Sequence, residues 1–551
     1  MTTTAPAPAR TAAPARGRTL AGTGALVRFN LRRDRVWLPV WIGAITLFTV
    51  GSVASLQDIY LDAGDRQARA DLMLNPGLRA VSGPGYGLDD YTFGAMIAHE
   101  YLSWVAIFVA LMSILLTVRH TRAEEETGRA ELVRAAVVGR YAPLTAAVVV
   151  VGGASIALGA LLALSVGSLG LESVTQESSL LFGAAVAVIG LVFTAVAAVT
   201  AQVYESARAA GGLAGAIFGL AFVLRAAGDM SEIGGGFLSW LSPVGWSQQT
   251  RVYVADRWWP LALSVALTVI LLGVAYRLST RRDLGAGLVQ SRPGAPTGSA
   301  LLSSPLGLAW RLHRTSVLWW TAALALFAFA YGGLAGEVES FIEDFSAAED
   351  IMSYVGGDSV IHAFLATILS LVGTLTAVFA VLTVLRPRSE ETSGRAEPVL
   401  ATATSRTSWL GSHLLIALAG SVVILALAGL GMGVTASSTL GENLIPDLIG
   451  AALAYAPAVW VTIGLGVALF GLVPRATLLV WIVIAYAGLI GSFAAILQLP
   501  EWTLDLSPFG HVPAAPAVDL TWPPLVILTA IAAALIAAGL YGFRQRDLET
   551  K

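Results

Sequence analysis

The sequence contains no cysteine, and its single lysine is the last residue, Lys551. Without cysteine the chain forms no disulfide and offers no thiolate ligand to a zinc ion or an iron–sulfur cluster. A P-loop needs a lysine in a G-x-x-x-x-G-K-[ST] frame to reach the β- and γ-phosphates of a nucleotide. The sequence therefore excludes a standard ATPase site in this chain.

Motifs of enzymes and metal sites are also missing. There is no H-E-x-x-H or G-x-S-x-G sequence, and the six histidines lack the close spacing of metal ligands. We therefore predict that the chain is not an enzyme and has no catalytic residue, metal or cofactor of its own. Its net charge of −3 gives no indication of a nucleic-acid partner.

Charged residues are scarce, at 13% of the 551 residues, whereas 56% are hydrophobic. The charged fraction is about half that of an ordinary soluble domain. Apolar runs of about 20 residues, enough to span a bilayer, recur along the chain. We predict an all-α integral membrane protein with twelve transmembrane helices near 37–56, 95–118, 143–171, 179–204, 208–228, 259–276, 316–335, 360–385, 409–434, 447–472, 475–498 and 523–543.

The two halves of the sequence share three short motifs. The motifs are Glu124-Glu125-Glu126-Thr127-Gly128-Arg129-Ala130-Glu131 with Glu390-Glu391-Thr392-Ser393-Gly394-Arg395-Ala396-Glu397, Leu241-Ser242-Pro243-Val244-Gly245 with Leu506-Ser507-Pro508-Phe509-Gly510, and Arg282-Asp283-Leu284 with Arg546-Asp547-Leu548. Because each half has an even number of spans, the halves have the same orientation and form two parallel six-helix repeats. The predicted domains are a disordered cytoplasmic tail (1–23), a first transmembrane half (24–285), a flexible linker (286–304) and a second transmembrane half (305–551).

The distribution of charge predicts the orientation of the chain in the membrane. Most of the 33 basic residues lie in segments that this topology places in the cytoplasm, in agreement with the positive-inside rule. The loop 336–358 has seven acidic residues and no basic one, so we place it outside. We predict a multi-pass protein of a bacterial plasma membrane, in contact with membrane lipid and with both termini in the cytoplasm.

The motif that starts at Glu124 and returns at Glu390 follows the second span of each half, on the predicted cytoplasmic side. Proline is favoured at the first residue of a helix, so we predict short helices that start near Leu132 and Pro398, with a glycine turn before each. Acidic residues then lie near the positive end of each helix and an arginine just past its negative end. A charged loop that occurs twice in so apolar a protein favours a docking site for a partner over a loop that is merely solvated. The candidate docking residues are Glu124, Glu125, Glu126, Gly128, Arg129, Glu131, Arg134, Arg140, Glu390, Glu391, Gly394, Arg395, Glu397 and Arg406.

Two further sets of residues are candidates. The Leu-Ser-Pro motifs lie outside, among tryptophans that favour the membrane interface, and they form either an outer gate or an interfacial anchor: Leu241, Ser242, Pro243, Gly245, Leu506, Ser507, Pro508 and Gly510. Ionisable residues within spans are functional candidates: His99, Glu100, Arg225, which could pair with Asp229 one turn on, and His362. Gly211 and Gly215 form a G-x-x-x-G pattern, which favours close helix packing.

The six-plus-six plan, the Glu-Glu-Glu-Thr-Gly-Arg-Ala-Glu loop and the outer Leu-Ser-Pro motif together resemble ABC-2 type permeases. The sequence is most similar to the actinobacterial tetronasin-resistance group of polyketide-antibiotic exporters, over the whole chain after about residue 20. The resemblance implies two copies of a separately encoded ABC ATPase as partners, Mg-ATP bound on those ATPases and a hydrophobic small-molecule substrate. It also implies that the loops near 124–140 and 388–406 are coupling helices, and that the helices before the first and seventh spans are connecting helices.

Two other functions stay open at this stage. A proton-coupled secondary drug transporter shares the six-plus-six plan, although the sequence shows no paired intramembrane carboxylates. A scaffold that recruits an ATPase without transport is the second alternative.

Overall fold

The structure, a computed structural model, describes residues 19–135, 137–283, 285–289, 297–336, 359–493 and 502–548. Within these ranges the chain forms helices joined by turns, and its one β-type contact is an isolated bridge between Tyr204 and Val289. The chain divides into two compact units, Met1–Pro293 and Gly294–Lys551. The predicted all-helical class is thereby confirmed.

The first unit consists of long apolar helices with short polar helices between them. In chain order they are α1 (Thr23–Arg33), α2 (Trp37–Ala54), α3 (Leu56–Ile59), α4 (Ala63–Leu72), α5 (Pro76–Ser82), α6 (Phe93–Met96), α7 (Leu102–His120), α8 (Arg122–Glu126), α9 (Arg129–Arg134), α10 (Ala142–Gly167), α11 (Gln176–Val203), α12 (Ala207–Ser231), α13 (Pro243–Gln248) and α14 (Pro260–Ser279). A π-helical turn, Ile97–Tyr101, joins α6 to α7, and a 3₁₀ turn, Phe237–Leu241, precedes α13.

Helix α11 lies at the centre of the first unit, where it packs against α7, α10 and α14. The side chain of Thr175 caps its first turn by accepting a hydrogen bond from the backbone N–H of Ser178, which satisfies one of the free donors at a helix start. Close contact with α10 depends on Gly159 and Gly183, because a Cβ atom added at Gly159 would lie 2.2 Å from the Gly183 carbonyl oxygen. The two backbones can approach this closely only without side chains.

The second unit repeats this plan. Its helices are α15 (Pro305–Gly332), α16 (Val360–Val384), α17 (Arg386–Thr392), α18 (Ala396–Leu400), α19 (Arg406–Leu440), α20 (Ile445–Leu453), α21 (Ala456–Leu472), α22 (Val480–Phe493), α23 (Trp502–Asp505) and α24 (Trp522–Gln545), with 3₁₀ turns at Ala300–Ser303 and Pro474–Leu479. Helices α21 and α24 pack closely, as do α15 and α19. Helix α15 continues without a break from its polar first turns into the apolar span, whereas α1 and α2 are separate helices.

Eleven helical stretches in the described ranges are long and apolar enough to cross a membrane, and the chain is a multi-pass membrane protein. The predicted span 475–498 falls on a 3₁₀ turn and α22, where the apolar helix Pro474–Ile490 is shorter. The end of that predicted span lies outside the described residues, so the total of twelve stays a prediction. Residues 1–18 of the predicted tail also lie outside the described residues, as does all of the acidic loop except Gly336.

Candidate functional site

The repeated charged motif forms a helix–turn–helix loop in each unit. The first loop is α8, a turn at Gly128 and α9, and the second loop is α17, a turn at Gly394 and α18. The two glycines have φ angles of 72° and 73°, in the left-handed region that glycine adopts without steric cost. The predicted glycine turns are therefore confirmed.

The helix after each turn begins earlier than the sequence predicted. Helix α9 starts at Arg129 and α18 at Ala396, not near Leu132 and Pro398. The left-handed turn lets the chain resume helical geometry at once, and the N–H of Glu131 already donates to the Gly128 carbonyl oxygen. A proline inside the first turn is tolerated, because the N–H that it lacks has no partner within the helix there.

A bidentate ion pair links each loop to the end of the last helix of its unit. Arg282, just after α14, donates to the two carboxylate oxygens of Glu125 at 2.7 and 2.6 Å. Arg546, just after α24, donates to the two oxygens of Glu391 at 2.6 and 2.7 Å. We call these two pairs the latches. They join two motifs that recur separately in the sequence, so the resemblance between the halves extends to a tertiary contact.

Both latches are shielded from solvent. The side chain of Glu391 is fully buried, and those of Glu125, Arg282 and Arg546 are 13%, 8% and 14% exposed. Two parallel N–H···O bonds fix the orientation of the partners as well as their distance. Each glutamate also has an arginine three residues before it, Arg122 in α8 or Arg388 in α17, which adds positive charge beside the carboxylate.

The arginine that follows each loop in the sequence also contacts the end of the last helix of its unit. Arg140 donates to the carbonyl oxygen of Thr280, and Arg406 donates to the carbonyl oxygen of Arg546. As the sequence predicted, these arginines follow the short loop helices in the chain. Their side chains bind carbonyl groups at the ends of α14 and α24, where a cation is favoured by the helix dipole.

The other carboxylates of the first loop contact two further elements. Glu124 forms an ion pair with Arg33 at the end of α1. Glu126 accepts a hydrogen bond of 2.9 Å from the backbone N–H of Ala207, the first residue of α12. Glu124 and Glu125 therefore point back into their own unit, and their part in docking a partner stays a prediction.

The first loop and the residues just after it expose apolar side chains. The side chain of Leu132 is 78% exposed and that of Val137 is 85% exposed, next to Arg129, whose side chain is 61% exposed. Glu131, also exposed, lies in the first turn of α9. In the second loop Arg395 is 61% exposed and contacts Glu390 at 2.8 Å. The side chains of Leu132 and Val137 are therefore accessible to a binding partner.

The remaining docking candidates occupy comparable positions. Glu397 is an exposed residue in the first turn of α18, matching Glu131 in α9. Arg134 is the last residue of α9, and the equivalent position in α18 is Leu400. The two loops therefore differ at their tips while sharing their latches.

The Leu-Ser-Pro motifs form the same turn in both units. The Ser242 hydroxyl accepts hydrogen bonds from the backbone N–H groups of Val244 and Gly245 at 3.2 and 3.4 Å, and the Ser507 hydroxyl accepts one from Phe509 at 3.3 Å. A Cβ atom at Gly245 or Gly510 would lie 2.0 or 2.2 Å from a backbone carbonyl oxygen. The geometry explains why serine and glycine recur there; the gate function of these residues, with the exposed Leu241 and Leu506 beside Pro243 and Pro508, stays a prediction.

The polar residues within the spans are held by local partners. Glu100 forms a bidentate ion pair with Arg69 at 2.9 and 3.0 Å, and His99 accepts a hydrogen bond from the N–H of Gly85. Tyr91 contacts both, and burial raises the pKa of its phenol well above the usual 10.0, as does the nearby Glu100 carboxylate.

The predicted pairing of Arg225 with Asp229 is confirmed, at 3.2 Å, with Ser239 donating to Asp229 at 2.6 Å. His362 lies in the first turn of α16, where its backbone N–H donates to the Ser359 hydroxyl. Among the described residues no three His, Asp or Glu side chains converge in a possible metal site.

The fold and the repeated loops define a multi-pass membrane permease built from two similar halves. A family model described as the C-terminal domain of the multidrug efflux system permease Rv1217c matches residues 302–544. The chain is 44% identical over 552 residues to the multidrug efflux system permease protein Rv1217c of Mycobacterium tuberculosis, and the alignment covers 98% of each chain. The chain therefore belongs to the family of this permease, and the predicted resemblance to ABC-2 type permeases is confirmed.

Proposed function

We propose that this chain is the membrane-spanning subunit of an ATP-binding-cassette exporter that moves hydrophobic compounds, such as drugs and polyketide-type antibiotics, out of the cell. The observation that carries this proposal is the helix–turn–helix loop present once in each unit of a chain related to a multidrug efflux permease. The chain has no lysine available for a P-loop, so the energy source is ATP bound with Mg²⁺ on a separate protein.

Because each unit has one loop, we expect two copies of the partner ATPase, one bound to each unit. The first loop offers Leu132, Val137 and Arg129 to the partner, and the second offers Arg395 and Glu397. Apolar anchors with a polar rim are the usual composition of a protein contact surface. In this proposal the glutamates at the latches support the docking surface from behind.

The topology is part of the proposal. The loops and both termini lie in the cytoplasm of a bacterial cell, where the arginine distribution places them, and the Leu-Ser-Pro turns close the opposite, outer end of the substrate path. The apolar spans suit an amphipathic substrate that reaches the protein from the inner leaflet.

A proton-coupled transporter is the less favoured function. Such a mechanism needs a carboxylate that exchanges protons within the membrane, and Glu100 is held by two hydrogen bonds from Arg69. Glu100 also has no acidic counterpart at the equivalent position of the second half, where Ala363 and Phe364 stand.

Co-purification from the native host tests the proposal. The chain is extracted in a gentle detergent with Mg-ATP present, and the proteins that accompany it are identified and quantified. We expect a P-loop ATPase at two copies per chain, and ATP-driven uptake of a fluorescent hydrophobic dye into inside-out vesicles that contain both proteins. A chain that purifies alone, together with dye transport that a protonophore abolishes without any need for ATP, would transfer the assignment to the secondary transporter.

A further inference from the structure

We infer that Arg282 and Arg546 are positioning residues that join each loop rigidly to the last helix of its unit, so that a movement of the loop is delivered to that helix. The inference rests on the proposed function, because the movement originates in the partner ATPase. Beyond the proposed function, the inference names the helix on which that movement acts: α14 in the first unit and α24 in the second.

Each loop is attached to the last helix on both of its sides. On one side is the latch, in which the guanidinium group grips both oxygens of the loop carboxylate. On the other side, the arginine that follows the loop, Arg140 or Arg406, binds a carbonyl oxygen at the end of the same helix. Attachments at two separate points of the chain prevent a loop from pivoting about a single bond.

The latch arginines are themselves fixed from behind. Arg282 also donates to the side-chain oxygen of Gln202 at 2.8 Å and to the Ala286 carbonyl oxygen at 3.0 Å. The Arg546 guanidinium lies 4.9 Å from the ring centre of Phe470 and 5.1 Å from that of Phe543, a favourable cation–π geometry. Gln202 belongs to α11 and Phe470 to α21, the helices that pack against α14 and α24. Each arginine therefore fixes its carboxylate to the end of the last helix together with the helix beside it.

The loops also contact other helices of their units: α8 follows α7 directly and α17 follows α16, within the helical stretches Phe93–Glu126 and Val360–Thr392. Glu126 is joined to α12 by one hydrogen bond, and Glu126 itself is exposed. Glu124 forms an ion pair with Arg33 at the end of α1, and in the second unit Arg386 of α17 donates to the Leu312 carbonyl oxygen of α15 at 3.1 Å. In the described part of the chain, the latch is the bidentate side-chain contact that recurs in both units, which favours the last helix as a common target of the movement.

A spin label at the far end of the last helix measures whether the movement arrives there. The full chain is studied in complex with its ATPase in lipid nanodiscs. Because the chain has no cysteine, Leu263→Cys in α14 is labelled before the ATPase is added and is the one labelled site in the chain. Leu263 is 37% exposed, so the label needs no repacking. The readout is the change in accessibility of the label to a water-soluble paramagnetic reagent when Mg-ATP and vanadate are added.

We expect an ATP-induced change with the latch intact and its loss in Arg282→Ala. The change should return in the charge-swapped pair Glu125→Arg with Arg282→Glu, and Arg282→Lys, which keeps the charge but not the bidentate fork, should fall between. Arg281→Ala is the matched control, because Arg281 is the exposed neighbour of Arg282, and it should retain the full change. In the second unit Arg546→Ala, the control Arg544→Ala and a label at Ile527→Cys provide the same test.

The possible failures are distinguishable. If the ATPase binds and hydrolyses ATP but the label does not respond even with the latch intact, the last helix is not the target and the inference is wrong. The inference is also wrong if Arg282→Ala keeps the response of the label. It is wrong as well if the charge-swapped pair loses the response as Glu125→Arg alone does, because Glu125 would then act through the partner ATPase. Absence of any ATPase from the unmodified complex would instead contradict the proposed function.

Discussion

Glu391 is completely buried, and both of its carboxylate oxygens accept hydrogen bonds from Arg546, which lies 155 residues later in the chain. The equivalent pair in the first unit, Glu125 with Arg282, is separated by 157 residues. Burial of a charged pair costs desolvation free energy. Removal of one partner is strongly destabilising, because the other charge is then buried without compensation. The latches are therefore points at which a single substitution has a large effect.

Replacement of Glu391 by alanine should destabilise the second unit by about 3–5 kcal/mol, because Arg546 then becomes a buried cation without its main partner. The measurement is the thermal unfolding midpoint of the purified chain in detergent. Glu397→Ala is the control, since Glu397 is an exposed residue of the same loop and its loss should change stability by at most about 0.5 kcal/mol. Equal midpoints for the two variants would contradict the role assigned to the latch.

The long apolar helices could be predicted from the sequence, because hydrophobicity and length are local properties of the chain. The repeated motifs around Glu125 and Arg282 could be recognised as well. Their contact could not be predicted, since pairing across so many residues depends on how α14 packs in the unit. That contact gives Glu125 a partner within its own unit, while its role in docking an ATPase stays a prediction.

The glycines that allow close helix packing could not be predicted from the sequence either. The G-x-x-x-G pattern at Gly211 and Gly215 favoured close packing, but a Cβ atom at Gly215 would meet no atom within 4 Å. The close approach is instead between Gly159 and Gly183, which form no such pattern with each other because they lie on different helices. Spacing within one helix does not reveal which of its faces meets a neighbour.

Gly159→Ala should therefore destabilise the first unit by about 1–3 kcal/mol, the usual effect of forcing extra volume into a packed interface. The added Cβ atom would lie 2.2 Å from the Gly183 carbonyl oxygen, so α10 and α11 would have to separate. Gly153→Ala is a matched control on the same helix, because its Cβ atom would meet nothing within 4 Å. The control should be neutral or stabilising by up to about 1 kcal/mol, and thermal unfolding of both variants in detergent gives the comparison.

The outer Leu-Ser-Pro turn can be tested through its serine. Ser242→Ala removes the hydroxyl that caps α13, a change that typically costs about 0.5–2 kcal/mol locally. If this turn is an outer gate, efflux of a fluorescent hydrophobic dye from cells should fall while the amount of ATPase that co-purifies stays the same. Ser168→Ala is the control, since Ser168 is exposed and its hydroxyl donates to the nearby Ser165 carbonyl oxygen. Unchanged efflux in Ser242→Ala would favour a simple anchor at the membrane surface.

Leu132→Asp tests the docking surface itself. The side chain is 78% exposed, so the substitution should leave the unfolding midpoint unchanged, yet it places a charge where an apolar anchor would be buried by the partner. Loss of such an anchor is worth about 2 kcal/mol or more, so retention of the ATPase on the purified chain should fall by more than about tenfold for the first site. Leu288→Asp, at a leucine that is 45% exposed outside the loops, should retain the ATPase fully. Equal retention in the two variants would mean that the partner does not contact Leu132, and the exposed Arg129 would become the next residue to replace.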